Sequence, residues 1–322
     1  MTSQVRRVCG VAATAFVLAV RPDAARAQTP FLRGQNIQPV YEGWEKNPDG
    51  TIAMVFGYMN RNFQEEPLVT IGQNNFFLPG PQDRGQPTHF DTRRQSFIFR
   101  VTLPADWGTK ELVWTVNHNG HAYTAIGNVA PHWVIDEGTW RANRGAGISG
   151  RTASEYVGNR PPAVQITGPA TLTARVGEPV TLIATASDDG RPGPKPPQPR
   201  RGGGEGGATP KVVLSNPDLP TVGGNHSGAA SGTGGPTDQN IVQVSMAYPT
   251  GLAVTWRHYR GPGKVSFEPL AMPVKADGKA TTSVRFSEPG THVIRAVADD
   301  STFTTGADVT VTVSASSTPS RQ

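Results

Sequence analysis

Two histidines on either side of an Asn-Gly pair form the clearest arrangement of metal-binding side chains in the sequence. His118 ends one alternating run of residues, His121 begins the next, and Asn119-Gly120 lies between them. Asn-Gly at such a position predicts a two-residue type I′ hairpin turn, because both of its central residues take positive φ. His118 then opposes His121 with Cβ atoms about 4.5–5.5 Å apart. Two imidazoles at that separation are placed to share a Zn²⁺ or Cu²⁺ ion.

A complete site needs a third ligand, and His89 and His132 are the candidates. The sequence alone puts neither beside the pair, so two solvated histidines at a hairpin tip are the alternative. Catalysis would also need an open coordination position and a base. The sequence contains no nucleophile elbow, phosphate loop, HExxH motif or paired-carboxylate signature. It therefore favours a protein that is not an enzyme.

Two aspartate pairs give a second metal hypothesis. Asp188-Asp189 and Asp299-Asp300 each follow a run with strand-like alternation. Carboxylate oxygens clustered at strand ends are the ligands that Ca²⁺ prefers. Neither pair belongs to a full calcium-loop motif, so the alternative is that these aspartates only form turns.

The segment 60–94 is rich in polar and turn-forming residues and has few strand-like runs. Long ordered loops on a β scaffold often carry binding residues. The candidate ligand-binding residues of this segment are Asn74, Asn75, Asp83, Arg84, His89, Asp91, Arg93 and Arg94. The alternative is a polar loop that packs over an open end of the first domain.

The amino terminus resembles a secretory leader. Arg6-Arg7 precede the apolar run Val8 to Val20, and the small-residue site Ala25-Arg26-Ala27 follows. This layout predicts a signal peptide over 1–27 and a flexible lead-in over 28–36, and hence export to the periplasm or the outside of the cell. The single cysteine, Cys9, lies in the leader. No later stretch reaches the roughly 18 apolar residues of a membrane span, so no integral membrane segment is expected after cleavage.

Loss of the leader also changes the charge. Four arginines and one aspartate leave with it, so the formal net charge of +5 becomes +2. A nearly balanced charge gives no electrostatic reason to expect nucleic acid as a partner. The 295 residues that remain are enough for two domains.

Short alternating runs bounded by Gly, Pro, Asn and Asp predict strands throughout the remaining chain. They divide it into a first domain over 37–136, a linker over 137–160, a second domain over 161–313 and a flexible tail over 314–322. His132 to Ile135 are expected to form the last strand of the first domain. Within the linker, Trp140 is either a clamp that packs back on a domain or an exposed recognition residue. Of the 52 residues in 189–240, 22 are Gly or Pro, so this stretch is expected to be a disordered insertion.

The second domain resembles a known family. VTWRHYRGPGKVSFEP and TTSVRFSEPGTHVIRAVADDSTFTTGADVTVTV resemble the last strands of a bacterial immunoglobulin-like domain of the PKD-like kind. PPAVQITGPATLTARVGEPVTLIATASDDG resembles its first strands. The resemblance covers roughly 161–313 and is interrupted by the insertion. It implies an immunoglobulin-like fold and a spacer or adhesive role without catalysis. The first domain resembles no family closely.

The expected fold class is all-β, with two antiparallel β-sandwich domains, the second immunoglobulin-like with a long disordered insertion. The expected function is that of an exported, non-catalytic binding, adhesive or structural module. Its favoured partners are a protein or a cell-surface polysaccharide rather than a small molecule, and no cofactor is expected apart from the Ca²⁺ and Zn²⁺ hypotheses. One alternative is a carbohydrate-binding module, which needs aromatics such as Trp44, Trp107, Trp133 or Trp140 exposed in a row. The other is a metal-binding accessory or enzyme that uses His118 and His121.

Overall fold

The computed structural model describes residues 32–143, 156–193 and 251–316. These residues form two β-sandwiches, so the predicted all-β class is confirmed. In the first sandwich, one sheet has the order β1-β2-β4 and the other the order β3-β5-β6. The strands are β1 (Ile37–Lys46), β2 (Ile52–Asn60), β3 (Asn75–Leu78), β4 (Arg93–Leu103), β5 (Leu112–His118) and β6 (His121–Gly127).

The hairpin predicted from Asn-Gly is confirmed. Asn119 has φ 52° and Gly120 has φ 73°, as a type I′ turn requires. The register pairs His118 with His121, and Trp114 with Ala125. Trp114 is fully buried and contacts four phenylalanine rings at centroid distances of 5.0–6.4 Å. The alternation of β5 therefore directs its large side chains into the first core.

The second sandwich has a four-stranded sheet of order β11-β13-β9-β7 and a five-stranded sheet of order β12-β10-β14-β15-β8. The strands of the first sheet are β7 (Ala163–Ile166), β9 (Val180–Ser187), β11 (Val265–Glu268) and β13 (Lys279–Phe286). Those of the second are β8 (Thr171–Arg175), β10 (Ala253–Arg260), β12 (Ala271–Pro273), β14 (Gly290–Asp299) and β15 (Thr304–Ser314). Its core contains Trp256, Val284, Phe286, Ile294, Val309 and Val311.

The strand order is that of an immunoglobulin-like sandwich. Taken along the chain, β7, β9, β13 and β11 occupy the positions of strands A, B, E and D, and β10, β14 and β15 those of C, F and G. The predicted immunoglobulin-like architecture is therefore confirmed. The first sandwich repeats the pattern with six strands, because β1-β2-β4 corresponds to A-B-E and β3-β5-β6 to C-F-G.

Three expectations about elements need correction. The second sandwich is not wholly antiparallel, because β8 pairs in parallel with β15. Pro131–Trp133 form a 3-10 turn, where the sequence analysis expected the last strand of the first domain. The predicted linker begins with helix α1 (Glu137–Asn143), whose tryptophan packs into a core. Of the predicted insertion 189–240, only residues 189–193 are described. The leader 1–27, residues 28–31 of the lead-in and residues 317–322 of the tail lie outside the described residues.

Candidate functional site

The loop that was expected to bind a ligand packs against the second sandwich. The backbone N–H groups of Thr88 and His89 both donate to the carbonyl of Tyr259, with N to O distances of 3.2 and 3.3 Å. The Tyr259 hydroxyl donates back to the carbonyl of Gly85. Tyr259 itself is buried in the core cluster of the first sandwich. We call this contact between the 79–92 loop and strand β10 the junction.

A bulge in β10 explains how Tyr259 reaches the first sandwich. His258 is opposite Ile294 and Arg260 is opposite Val293, so Tyr259 is the extra residue between two paired positions. A bulge turns a side chain away from its regular alternation. The Arg295 guanidinium lies over the Tyr259 ring, 3.5 Å from its centre.

Two aspartates of the predicted binding surface form ion pairs across the junction. Asp83 accepts two hydrogen bonds from Arg260, at 2.8 and 3.0 Å, and these bonds hold the pKa of the Asp83 carboxyl below its usual value. Asp91 pairs with Arg257, whose guanidinium also donates to Gln95 at 2.8 Å. Both aspartates are therefore engaged by arginines of the second sandwich.

The arginines of the predicted surface are held within the first sandwich. Arg94 donates two hydrogen bonds of 2.8 Å to Glu42. Burial raises the pKa of the Glu42 carboxyl, and the charge of Arg94 partly offsets that rise. Arg84 donates to the carbonyl of Pro79 at 2.7 Å, and Arg93 donates to the carbonyl of Arg61 at 3.0 Å.

The two asparagines of the predicted surface have different environments. Asn74 is exposed. Asn75 is fully buried, where its amide nitrogen donates to the carbonyls of Val69 and Pro87, and its oxygen accepts from the Trp114 indole at 2.9 Å. Asn75 therefore connects the core to the loop that forms the junction.

Trp140 is the clamp of the two alternatives given above. Its ring stacks on Phe97 at 4.1 Å and meets the edge of Phe303, from the β14–β15 turn, at 5.7 Å. Its indole N–H donates to Glu45 at 2.8 Å. Together with Val55 and Ile135, these rings form a third buried cluster, which contains side chains of both sandwiches.

Three histidines come together at the junction. Only one of them, His89, was predicted from the sequence as a possible metal ligand. The rings of His89 and His258 have centroids 4.5 Å apart, and those of His258 and His292 are 5.3 Å apart. All three side chains are buried. His258 lies on β10 and His292 on the adjacent strand β14. The sequence alone could not predict this grouping, because it depends on the pairing of β10 with β14 and on the position of the loop that carries His89.

The hairpin histidines remain a pair. His118 and His121 face each other in register, and Nδ1 of His118 is buried without a hydrogen-bond partner. His89 is at the junction instead, and His132 lies in the 3-10 turn beside Trp133. Among the residues that the structure describes, no group of three or more His, Cys, Asp or Glu side chains is arranged to hold a metal ion.

The aspartate pairs separate into two kinds. Both oxygens of Asp189 accept backbone N–H groups, from Arg160 and Arg191, and Asp299 accepts from the N–H of Ser301. The charge of Asp188 adds to the rise in the pKa of Asp300.

Asp188 and Asp300 each keep one buried oxygen without a partner. Oδ2 of Asp188 accepts from Gly190, and Oδ1 of Asp300 accepts from the N–H groups of Thr302 and Phe303. Oδ1 of Asp188 and Oδ2 of Asp300 have no hydrogen-bond partner, and neither has the Thr302 hydroxyl. Burial first, and the Asp188 charge in addition, raise the pKa of Asp300 to about 6. Burial also raises the pKa of Asp188.

A side-chain amide lies beside this pair. Asn159 is close enough to Asp300 to lower its pKa, yet neither its oxygen nor its nitrogen has a partner with hydrogen-bond geometry. We call Asp300 and the two side chains that act on its pKa, Asp188 and Asn159, the Asp188–Asp300 cluster.

Most tryptophan rings are unavailable to a ligand. Trp107, Trp114, Trp140 and Trp256 are buried, and Trp44 is half-buried with its indole N–H donating to Ala130 at 2.9 Å. Trp133 is 39% exposed and lines a cavity of about 280 Å³ with Tyr41, Glu42, His132, Val134 and Thr139. The row of exposed aromatics that a carbohydrate module needs is therefore absent from the six tryptophans.

Comparison with known proteins adds no family. No family model matches the chain, and no curated protein matches it. The D00-D0 domain of intimin is 12% identical and covers 86% of this chain and 99% of its own, with a TM-score of 0.23. InvD of Yersinia pseudotuberculosis is 14% identical over 89% of this chain and 59% of its own, with a TM-score of 0.23. Domains 1–6 of the surface layer protein SbsC are 9% identical over 89% of this chain and 29% of their own, with a TM-score of 0.22. Similarities this low carry no argument about function.

None of the helices within the described ranges has the length and apolar character needed to cross a bilayer.

Proposed function

We propose that this chain is an exported, non-catalytic module in which two sandwiches act as one rigid binding or structural unit. The junction is the observation that carries the proposal. Ion pairs and backbone hydrogen bonds cross it, and the buried cluster around Trp140 joins the two sandwiches at a second place. Contacts of this number and kind oppose the relative motion that is the default between two domains. The leader pattern of residues 1–27 supports export.

The favoured partners are a protein or a cell-surface polysaccharide. Pockets for drug-sized ligands usually enclose about 300–1,000 Å³. Two surface cavities lined by described residues measure about 280 and 260 Å³. They fall at or below the lower end of that range. A partner that covers a wide outer surface suits such a molecule better than a small ligand does.

Rigidity can be tested by distance measurement between the sandwiches. Cys9 is the only cysteine, so a Cys9→Ser background accepts spin labels at Thr124→Cys and Thr173→Cys, two exposed positions on β6 and β8. Double electron–electron resonance at pH 7.5 should give one narrow distance distribution. A broad or bimodal distribution would contradict a rigid unit.

We also propose that the Asp188–Asp300 cluster binds Ca²⁺. Carboxylate oxygens and a side-chain amide oxygen are ligand types that Ca²⁺ prefers. Buried oxygens without partners destabilise a fold, and neighbouring carboxylates repel each other. A bound cation would relieve both effects. The unpartnered oxygens of Asp188 and Asp300 are the observation that supports this proposal.

Calcium binding predicts opposite effects of one substitution with and without the ion. Ca²⁺ should raise the melting temperature of the intact protein by the amount that RT ln(1 + [L]/Kd) gives, and Mg²⁺ at equal ionic strength should do less. Asp300→Asn should abolish the Ca²⁺ effect and raise the melting temperature in chelator, because it removes one of two like charges. Asp277→Asn, in an exposed turn, is the control. A Ca²⁺ effect that survives Asp300→Asn, or no effect in the wild type, would refute the site.

A carbohydrate-binding role retains one supporting observation, the cavity beside the exposed Trp133 ring. Affinity electrophoresis through gels with soluble polysaccharides should then show retardation that Trp133→Ala removes. The zinc or copper alternative retains the cross-strand pair of His118 and His121. A melting-temperature rise with Zn²⁺ that is lost in His118→Ala/His121→Ala would favour it.

A further inference from the structure

The histidines at the junction occupy one continuous buried stack. His89 comes from the docking loop, His258 from β10 and His292 from β14. Nδ1 of His292 lies 3.3 Å from Nε2 of His258, and Nε2 of His292 lies 3.1 Å from the carbonyl oxygen of Glu288. The stack therefore links the loop of the first sandwich to two strands of the second.

The hydrogen bonds of the stack fix which nitrogens carry protons. The Glu288 carbonyl can only accept, so His292 donates from Nε2. A neutral His292 then has a free lone pair on Nδ1, which accepts from Nε2–H of His258. His258 is left with an unprotonated Nδ1. That atom is buried and has no hydrogen-bond partner. The two hydrogen bonds of His292 are therefore both made while the two imidazoles are neutral.

Burial opposes an added proton on either ring of this pair. On His292 it would point an N–H at the N–H of His258. On His258 it would create a charge on a buried ring between two other imidazoles. Burial, followed by the neighbouring His89 and His292, lowers the pKa of His258 to about 3, although the Arg260 carbonyl favours the charged form. Burial also lowers the pKa of His292.

The charged groups around the stack do not compensate a proton on His258. Glu66 lies 3.3 Å from Nε2 of His89, at the outer end of the stack. Glu288 acts on His292. On the same strand as His258, Arg257 and Arg260 are positively charged and pair with Asp91 and Asp83. Glu66 and Glu288 therefore act on the two outer rings of the stack, and no carboxylate among the described residues is seen to favour a charge on the central ring.

We propose that the histidine stack makes the junction open reversibly when the surroundings become acidic. His258 can be protonated at little cost only if it reaches water, and the loop that carries His89 covers it. Because the N–H groups of Thr88 and His89 hold this loop on Tyr259, separation of the loop from β10 is the movement that exposes His258. The proposal goes beyond the rigid unit proposed above, which concerns neutral pH.

The sign of the effect follows from the docked and open forms. An exposed histidine has a pKa near 6.5, whereas docked His258 has a pKa of about 3. The open form therefore binds more protons below pH 6.5, and the docked form is favoured less as the pH falls from about 6.5 to about 3. Between pH 6.5 and 4, the ratio of docked to open forms should fall by about 140-fold through His258 alone. Because the pKa of Asp83 is below its usual value, Asp83 keeps its charge and its ion pair with Arg260 as the pH falls from 6.5 to 4.

The test uses the spin-labelled protein described above at pH 7.5, 6, 5 and 4. The wild type should show its narrow distance distribution broaden on acidification and narrow again at pH 7.5, while its far-ultraviolet circular dichroism is unchanged. His258→Phe/His292→Phe should keep the narrow distribution at every pH. His121→Gln, which removes an exposed histidine, should behave as the wild type. A wild-type distribution that is constant to pH 4, or a double variant as sensitive as the wild type, would overturn the proposal.

A second measurement needs no substitution in the stack. Long-range ¹H–¹⁵N spectra of the imidazoles should show His258 with an unprotonated Nδ1 until the distance distribution broadens. Titration of His258 near pH 6.5 with no change in distance would also overturn the proposal. A distribution that is already broad at pH 7.5 would instead contradict the rigid unit, so the two proposals fail in different ways.

Discussion

The amide of Asn75 provides three hydrogen bonds inside the first core. Its partners are the indole of Trp114 and two carbonyls, those of Val69 and Pro87, in the chain that leads to the junction. Each of these groups would be buried without a partner if the amide were absent, and an unsatisfied buried group costs about 1–3 kcal/mol. Asn75 therefore acts on stability through the atoms it satisfies.

Asn75→Ala should lower the free energy of unfolding by about 2–4 kcal/mol, and Asn74→Ala should change it by less than about 0.5 kcal/mol. The reason is that Asn75 is buried with three partners, while Asn74 is exposed. Urea denaturation followed by tryptophan fluorescence measures both. Equal effects of the two substitutions would show that the amide network does not stabilise the core.

The adjacent asparagines also show where sequence reasoning reaches its limit at this scale. Both asparagines were predicted to belong to a binding surface, because both lie in the same polar segment. The register of Trp114 could be read from the Asn119-Gly120 turn, because a turn type fixes a local pairing. The pairing of β3 with β5 decides which of the two asparagines faces Trp114. Asn75 and Trp114 are 39 residues apart in the sequence. Local patterns do not contain that information.

Two short elements, a bulge and a one-helix segment, carry side chains that join the two sandwiches. The bulge in β10 directs Tyr259 into the other sandwich, and helix α1 directs Trp140 between Phe97 and Phe303. The helix was missed because its seven residues carry a single large apolar side chain, so there is no apolar stripe to detect. A bulge has no apolar pattern of its own either. The strands of both sandwiches were predictable because their alternation repeats over several residues.

Trp140→Ala should lower the free energy of unfolding by about 3–5 kcal/mol, as truncation of a buried tryptophan usually does. Trp133→Ala is the matched control, because that ring is 39% exposed, and it should change stability by less than about 1 kcal/mol. Chemical denaturation followed by circular dichroism compares the two. A small effect of Trp140→Ala would mean that α1 is detached from the sandwiches in solution.

In the whole molecule, side chains of the second sandwich are buried in clusters formed mainly by the first sandwich. Tyr259 belongs to the core cluster of the first sandwich, and Phe303 to the cluster around Trp140. Two domains could be read from the sequence because the composition changes between them. Their contact could not, because aspartates in one loop and arginines on a distant strand show no relation until the fold brings them together. Two sandwiches coupled in this way should unfold together.

Removal of the junction arginines should uncouple the two sandwiches. Arg257→Ala/Arg260→Ala eliminates the ion pairs with Asp91 and Asp83. The loss should weaken the junction by about 2–4 kcal/mol. The effect is not larger because Asp83 is half exposed, so water screens its ion pair. The single calorimetric transition expected for the wild type at pH 7.5 should then separate into two. Lys279→Ala/Arg285→Ala, which removes two exposed charges of β13, should keep one transition. If the junction variant shows one transition, the buried clusters alone couple the sandwiches. If the wild type shows two transitions, the junction contacts do not couple the sandwiches.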